Sequence, residues 1–207
     1  MNVPIQVNGS AREAKIQYIA EPDFGFVRQW RSSLGTDQNP IRNDAVDFAT
    51  LACQRFTTHS PFETYARHAD DISDHIHDNP LCEVANLVAM RCDSFPDSNV
   101  IGLAHFRRSW CNNLILDYMA AHPWISKPPE GYPQIVRGVG RALLFFLCSV
   151  ARENACGCIW GEATQNSCAF YKKIFDLDSV RDLLYIPSEK IAKFAENLEQ
   201  LWKQQKN

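Results

Sequence analysis

Apolar residues run almost unbroken from Asn113 to Ala121 (Asn-Leu-Ile-Leu-Asp-Tyr-Met-Ala-Ala), the pattern of a strand buried on both faces. Arg141 to Asn154 is apolar on nearly every side, which predicts a core helix, and Cys156 to Trp160 reads as a second short strand. Upstream the pattern is more mixed. Residues 1–10 are polar and read as loose, and Ala14 to Ala20 alternates as a first strand should. Phe24 to Leu34 and Asn43 to Thr58 carry helical spacing, the second capped by Asn43. A third helix is expected from Pro61, capped by Ser60, to Ile76. Ala85 to Cys92 and Val100 to Trp110 read as a hairpin turned by Asp93 to Asn99. Pro123, Pro128, Pro129 and Pro133 make Pro123 to Pro133 an irregular loop, where Trp124 and Tyr132 either meet substrate or sit on an ordinary surface excursion. Ser179 to Ile186 supplies a last strand, and Pro187-Ser188 leads into a helix from Glu189 to Gln204.

The junction between the apolar strand and the core helix holds the densest chemical information. Ile135 to Leu144 reads Ile-Val-Arg-Gly-Val-Gly-Arg-Ala-Leu-Leu. A helix starting here exposes backbone N–H groups and the positive end of its dipole, and the glycines keep side chains away from an approaching anion. Arg137 and Arg141 can add countercharge, or be solvated surface residues. A solvated corner needing positive φ would use similar residues. The order strand, glycine turn, helix, strand puts the helix N-terminus beside the carboxyl ends of the strands, which favours the phosphate reading.

At this point the chain resembles the GNAT acetyltransferase superfamily. Gly138-Val139-Gly140, followed by Arg141-Ala142, matches the Gly-x-Gly part of the family's cofactor turn; the leading position falls on Ile135, with Gln134 and Arg137 nearby. A second block, Gly161 to Phe175, resembles the family's Asn-x-x-Ala-x-x-Phe-Tyr segment, with Thr164 at the Asn position, Ser167 at the Ala position, Tyr171 at the tyrosine, and no Gly before Phe175. The two blocks lie within residues 100 to 175. The resemblance implies an α/β (α+β) fold with a mixed, mostly antiparallel central sheet, splayed fourth and fifth strands, helices on both faces and extra N-terminal helices. It implies a single domain over 1–207: a variable acceptor-side region at 11–80, an acetyl-CoA-binding core at 81–186 and a C-terminal helix at 187–207. Acetyl-CoA would be the co-substrate, held by Arg137, Gly138, Val139, Gly140, Arg141 and Ala142, by the backbone of Met119, Ala120 and Ala121, and by Thr164, Ser167 and Tyr171. The acceptor would be a primary amine on a small molecule or a protein.

Direct acetyl transfer needs a neutral amine, a polarised carbonyl and a proton for the leaving thiolate. Tyr171 stands where the family keeps a phenol near the cofactor sulfur; the alternative is a helix tyrosine packed beside Phe170. Asp117, in an apolar strand, is either the base or an ion-paired residue, and Glu162 is its competitor. His122, before Pro123 at a strand end, is a third candidate and equally a structural turn residue. A different class of function stays open: a noncatalytic acyl-CoA-binding or regulatory module that kept the turn and lost the chemistry.

Composition narrows the partners. The chain is 207 residues long and 45% hydrophobic, enough for a substantial core. A net charge of −3 gives no electrostatic footprint for nucleic acid, and none is expected as a partner. No stretch resembles a signal peptide or is apolar for long enough to span a bilayer, so a cytoplasmic protein without membrane contact is expected; a homodimer is compatible with these features. The eight cysteines sit in apolar segments and read as free thiols, Cys156 and Cys158 among them. The cluster from His68 to Asp78 stacks Asp71, Asp74, His75 and Asp78 on one helical face, which reads as a solvated face with a metal site or acidic groove as the alternative; no metal is expected.

Overall fold

Strand-forming runs alternate with helical ones in the computed structural model, which describes residues 1–58, 63–66, 69–95 and 98–206. Its elements are β1 (Asn2–Val7), β2 (Ser10–Tyr18), α1 (Gly25–Leu34), α2 (Pro40–Thr57), β3 (Glu63–Tyr65), α3 (Ala69–Asp78), β4 (Glu83–Arg91), β5 (Val100–Arg108), β6 (Leu114–Ala121), α4 (Pro123–Ser126), β7 (Val136–Arg137), α5 (Val139–Glu153), β8 (Cys158–Glu162), α6 (Gln165–Phe175), β9 (Leu183–Pro187) and α7 (Ser188–Lys206). This is a mixed α/β fold with a mostly antiparallel sheet. Hydrogen-bonded neighbours follow the order β7-β1-β2-β4-β5-β6-β8-β9, with β3 parallel to β4. The chain forms two compact units, one of Met1–Pro61, Asn86–His105 and Tyr118–Leu143, the other of Phe62–Ala85, Phe106–Asp117 and Leu144–Asn207.

The first unit contains β1, an element the sequence reading missed. Val3, Ile5 and Val7 alternate inward, and the strand pairs antiparallel with β2 from Asn2↔Lys15 to Val7↔Ser10. Asn8 (φ 50°) and Gly9 (φ 79°) make the two-residue connection, the left-handed pair that a tight hairpin requires. β1 also pairs antiparallel with β7 through Gln6↔Arg137 and Val7↔Val136. Trp30 of α1 is fully buried and its indole N–H donates to Val100 O at 3.1 Å. α2 begins at Pro40 rather than Asn43. Asn39 is the cap, its Oδ1 accepting from Ile41 N–H at 3.1 Å, because proline suits the first helical position and Asn39 can serve its amides.

In the second unit β6 and β8 are parallel, from Leu114↔Ile159 to Leu116↔Gly161, and β8 pairs antiparallel with β9. β6 continues to Ala121 beyond the end of its ladder with β8. The core is built on Leu147, Ile159, Leu184 and Ile186, with Phe175 against Phe194 at a centroid distance of 4.9 Å. Arg108 is buried because its guanidinium is satisfied: it donates to Pro80 O at 2.7 Å, to Cys82 O at 2.9 Å and to Asn112 Oδ1 at 3.1 Å.

Four other boundaries differ from expectation. The expected third helix begins at Ala69, after β3; Ser60 and Pro61 lie outside the described residues. Cys156 precedes β8 rather than opening it. β9 starts at Leu183, not Ser179. Pro123 opens the short helix α4 inside the proline-rich stretch, because its missing N–H costs nothing at a helix start.

Candidate functional site

The glycine turn lies in the first unit. Gly138 has φ 98°, a conformation that disfavours any side chain, and its carbonyl accepts from Ala142 N–H at 2.8 Å. That bond is the first of α5, so the amides of Val139, Gly140 and Arg141 have no partner within the helix. Arg137 and Arg141 flank them, both exposed. The segment entering the turn is fixed from β1 and its hairpin: Asn8 N–H donates to Ile135 O at 2.9 Å, and Ile135 N–H donates to Asn8 Oδ1 at 2.8 Å. Gly102 of β5 leaves room for Val139 at the helix start; a Cβ built at Gly102 would stand 2.6 Å from Val139 Cγ1.

The end of β6 is in the same unit. Met119 and Ala121 are half-buried, Ala120 is buried, and the Ala120 carbonyl lies 3.3 Å from where a Gly102 Cβ would be. His122 caps α4, its Nδ1 accepting from Trp124 N–H at 3.3 Å. Its ring is fully buried between Trp30 (5.3 Å), Phe95 (4.9 Å) and Trp124 (6.1 Å), and burial lowers its pKa from 6.5 to about 4. Such an imidazole is neutral near pH 7, and the cap it makes is the turn role the sequence allows. The stretch after α4 is tied down rather than loose. Tyr132 packs edge-on to Trp124 at 4.9 Å, and Arg42 Nε donates to Lys127 O at 2.6 Å.

The remaining sequence-derived residues belong to the second unit. Asp117 is half-buried and its carboxylate takes two hydrogen bonds from Arg107, Nε to Oδ2 at 2.9 Å and Nη2 to Oδ1 at 3.0 Å; Arg107 Nη1 also donates to Glu83 Oε2 at 3.1 Å. The sequence reading did not single out Arg107, Glu83 or Asn8; for Asn8 the Asn-Gly dipeptide was an available signal. Glu162 ends β8 with its side chain exposed. Thr164 caps α6 from an extended conformation and is held by Ser167, whose hydroxyl donates to Thr164 O at 3.1 Å and accepts from Thr164 Oγ1 at 3.1 Å. Tyr171 is buried in α6, its ring edge-on to Phe170 at 5.3 Å; burial raises its pKa well above that of a free phenol, the Cys168 thiol adding to the shift. The structure thus gathers the glycine turn and the β6 end in one unit, and Asp117, Glu162, Thr164, Ser167 and Tyr171 in the other.

Two other features of the sequence are the cysteines and the cluster in α3. All eight cysteines are free, and burial pushes the Cys156 thiol up to about 11 and Cys53 to about 12. In α3, Ile72 is buried while Asp74 and Asp78 are exposed, and among the described residues no three His, Cys, Asp or Glu side chains converge to hold a metal; His68 lies outside the described residues.

No known family profile and no curated protein matches the chain in sequence. Solved structures resemble it in fold. An acetyltransferase of the GNAT family from Staphylococcus aureus Mu50 shares 11% identity, with 84% of this chain and 99% of that chain covered and a TM-score of 0.44. A tandem GNAT protein from the clavulanic acid biosynthesis pathway, without acetyl-CoA, shares 15% identity over 72% of this chain at a TM-score of 0.40, and this chain spans 36% of its length. A streptothricin acetyltransferase from Bacillus anthracis Ames, solved in complex with acetyl coenzyme A, shares 20% identity over 49% of this chain and 59% of that chain at a TM-score of 0.33. Each of these likenesses is one of fold. Among the described residues no helix is long and apolar enough to cross a membrane.

Proposed function

We propose that the chain is a GNAT-type acetyltransferase that moves an acetyl group from acetyl-CoA directly to a primary amine of a small molecule or a protein. The observation that carries this reading is the turn: Gly138 at φ 98° opens α5 with three amides lacking helical partners, between two exposed arginines. Those groups fit a pyrophosphate, which takes hydrogen bonds from backbone N–H and charge from guanidinium and helix dipole. Gly138 to Ala142 with Arg137 would hold the pyrophosphate, and the backbone of Met119 to Ala121 the pantetheine arm. Thr164 and Ser167 are already joined to each other, so their part in binding would come from the ordered N-terminus of α6.

In the transfer a nitrogen–carbon bond forms at the thioester carbonyl, the carbon–sulfur bond breaks, the amine gives up a proton and the thiolate takes one. Tyr171 would supply the second proton; burial keeps its phenol neutral, and so loaded as a donor, while making it a weaker acid. For the first proton the ion pair separates the two carboxylates. Asp117 has both oxygens engaged by Arg107, whereas Glu162 has none of its own committed among the described residues, which favours Glu162 as the base. The weak acidity of Tyr171 also favours a second reading, a module that binds acyl-CoA without turning it over.

Two measurements separate these readings. Calorimetry should show CoA binding that Gly138→Val, incompatible with φ 98°, reduces by at least about tenfold. Thiol release from acetyl-CoA against pooled amines and peptides should then reveal an acceptor. Binding without turnover on any pool favours the module, and a folded protein that binds no CoA overturns both.

A further inference from the structure

We infer that Asn8 is a positioning residue for the phosphate turn, holding the turn's entering strand so that the α5 amides point correctly. The inference rests on the pyrophosphate reading of that turn. Asn8 touches no ligand in this account and acts through Ile135.

Three observations carry it. Asn8 grips both backbone groups of Ile135, giving its N–H to Ile135 O at 2.9 Å and taking the Ile135 N–H on Oδ1 at 2.8 Å. The side chain of Ile135 is 50% exposed, so burial does not anchor it, and the backbone bonds of Ile135 among the described residues are those to Asn8. The strand that follows, β7, is only Val136–Arg137, whose ladder to β1 consists of Val7↔Val136 and Gln6↔Arg137. So short a strand cannot set its own register firmly. The next residue is Gly138, whose wide range of φ gives the turn no stiffness of its own, so the placement of the amides of Val139, Gly140 and Arg141 depends on how firmly the segment before it is held. Asn8 can make both bonds because it sits at φ 50°, a conformation asparagine accepts more readily than most residues, and its place in a two-residue hairpin connection fixes the direction of Oδ1.

The test compares two substitutions in the same connection. Asn8→Gly keeps the left-handed backbone and the backbone bond to Ile135 O but removes Oδ1. Gly9→Ala strains the hairpin at φ 79°, with open space around the new methyl, and leaves the grip on Ile135 in place. Each is measured by calorimetry with CoA and with pantetheine, which lacks the pyrophosphate, and by urea unfolding. Asn8→Gly should weaken CoA about three- to tenfold, the loss of about one hydrogen bond's worth of order at the turn, and leave pantetheine unchanged. Gly9→Ala should lower the unfolding midpoint without weakening CoA. If Asn8→Gly binds CoA as the parent does, or if both substitutions weaken CoA and pantetheine alike, Asn8 is only a hairpin residue and the inference is overturned while the turn reading stands. If the parent binds pantetheine as tightly as CoA, the turn contributes nothing to binding, and both fall.

Discussion

Replacing Gly102 with alanine tests whether the helix start is held from beneath. The added Cβ would lie 2.6 Å from Val139 Cγ1, 3.2 Å from Leu143 Cδ1 and 3.3 Å from the Ala120 carbonyl. A comfortable carbon–carbon contact is about 3.5 Å or more, so Val139 must retreat by about 0.9 Å. It cannot do so by rotating, since a β-branched residue in a helix has essentially one favoured rotamer. The first turn of α5 must therefore move, at the cost of about 1–3 kcal/mol typical of overpacking. A shift of that size misaligns the amides of Val139 to Arg141, and losing one hydrogen bond to a charged group, about 1.5–3 kcal/mol, weakens CoA by at least about tenfold. Urea unfolding should show a lower midpoint with an unchanged slope, and calorimetry the weaker binding. Val139→Ala in the same protein removes the clashing methyl and should recover at least about 1 kcal/mol beyond additivity. If Gly102→Ala has the parent's stability and affinity, or the double variant shows no coupling, the account of this contact is wrong.

Gly161→Ala should be more damaging, by about 3 kcal/mol or more in chemical unfolding, because its Cβ would run into the Leu116 carbonyl and backbone cannot rotate aside; Gly157→Ala, which meets the Asn113 side-chain Oδ1 at 3.1 Å, should cost far less. His122 has its pKa depressed from 6.5 to about 4, so it contributes stability that is fully present above pH 6.5 and is lost as pH falls toward about 4, on the order of 3 kcal/mol at most. His122→Asn keeps a capping side chain without titrating in this range, and its unfolding midpoint should be flatter between pH 7 and pH 4 than the parent's. Tyr171→Phe should lower kcat by about 10²-fold and leave CoA affinity nearly unchanged; full kcat would reduce Tyr171 to packing against Phe170. Asp117→Asn should lower stability, leaving Arg107 with half its partner, yet keep the acidic limb of the kcat/KM profile, whereas Glu162→Gln should remove or shift that limb; the opposite pattern restores Asp117 as the base.

What the sequence made legible was local. The apolar run of β6, the Gly-Val-Gly turn and the all-round apolar α5 are each decided by neighbours along the chain, and their boundaries moved by only one or two residues. β1 was hidden for a physical reason. Asn2 and Pro4 dilute its alternation, and proline argues against a strand flanked on both sides. The structure reconciles this, since the ladder to β7 covers only Gln6 and Val7, leaving Pro4 where no donor is required. The start of α2 was misplaced because Asn39 and Asn43 are equally good caps in composition, and only Pro40 distinguishes them. Gly102 and Gly161 were invisible as constraints, because what crowds them comes from α5 and β6, distant in sequence.

The carboxylate question turns on the same distinction. An aspartate in an apolar strand must be functional or paired, and the choice lies with a residue on the neighbouring strand that no periodicity identifies. Arg107 settles where the Asp117 oxygens go, through two bonds in the planar geometry a guanidinium favours, and its third bond to Glu83 fixes its orientation. For Asp117 to accept a proton from an amine, it would give up the charge that faces the guanidinium, weakening both bonds in a partly buried setting and leaving the arginine's charge less well matched. A base that starts from an uncommitted carboxylate faces no such cost. The ion pair therefore favours keeping Asp117 ionised and stationary, which is the reason the base we propose is Glu162, at the end of β8.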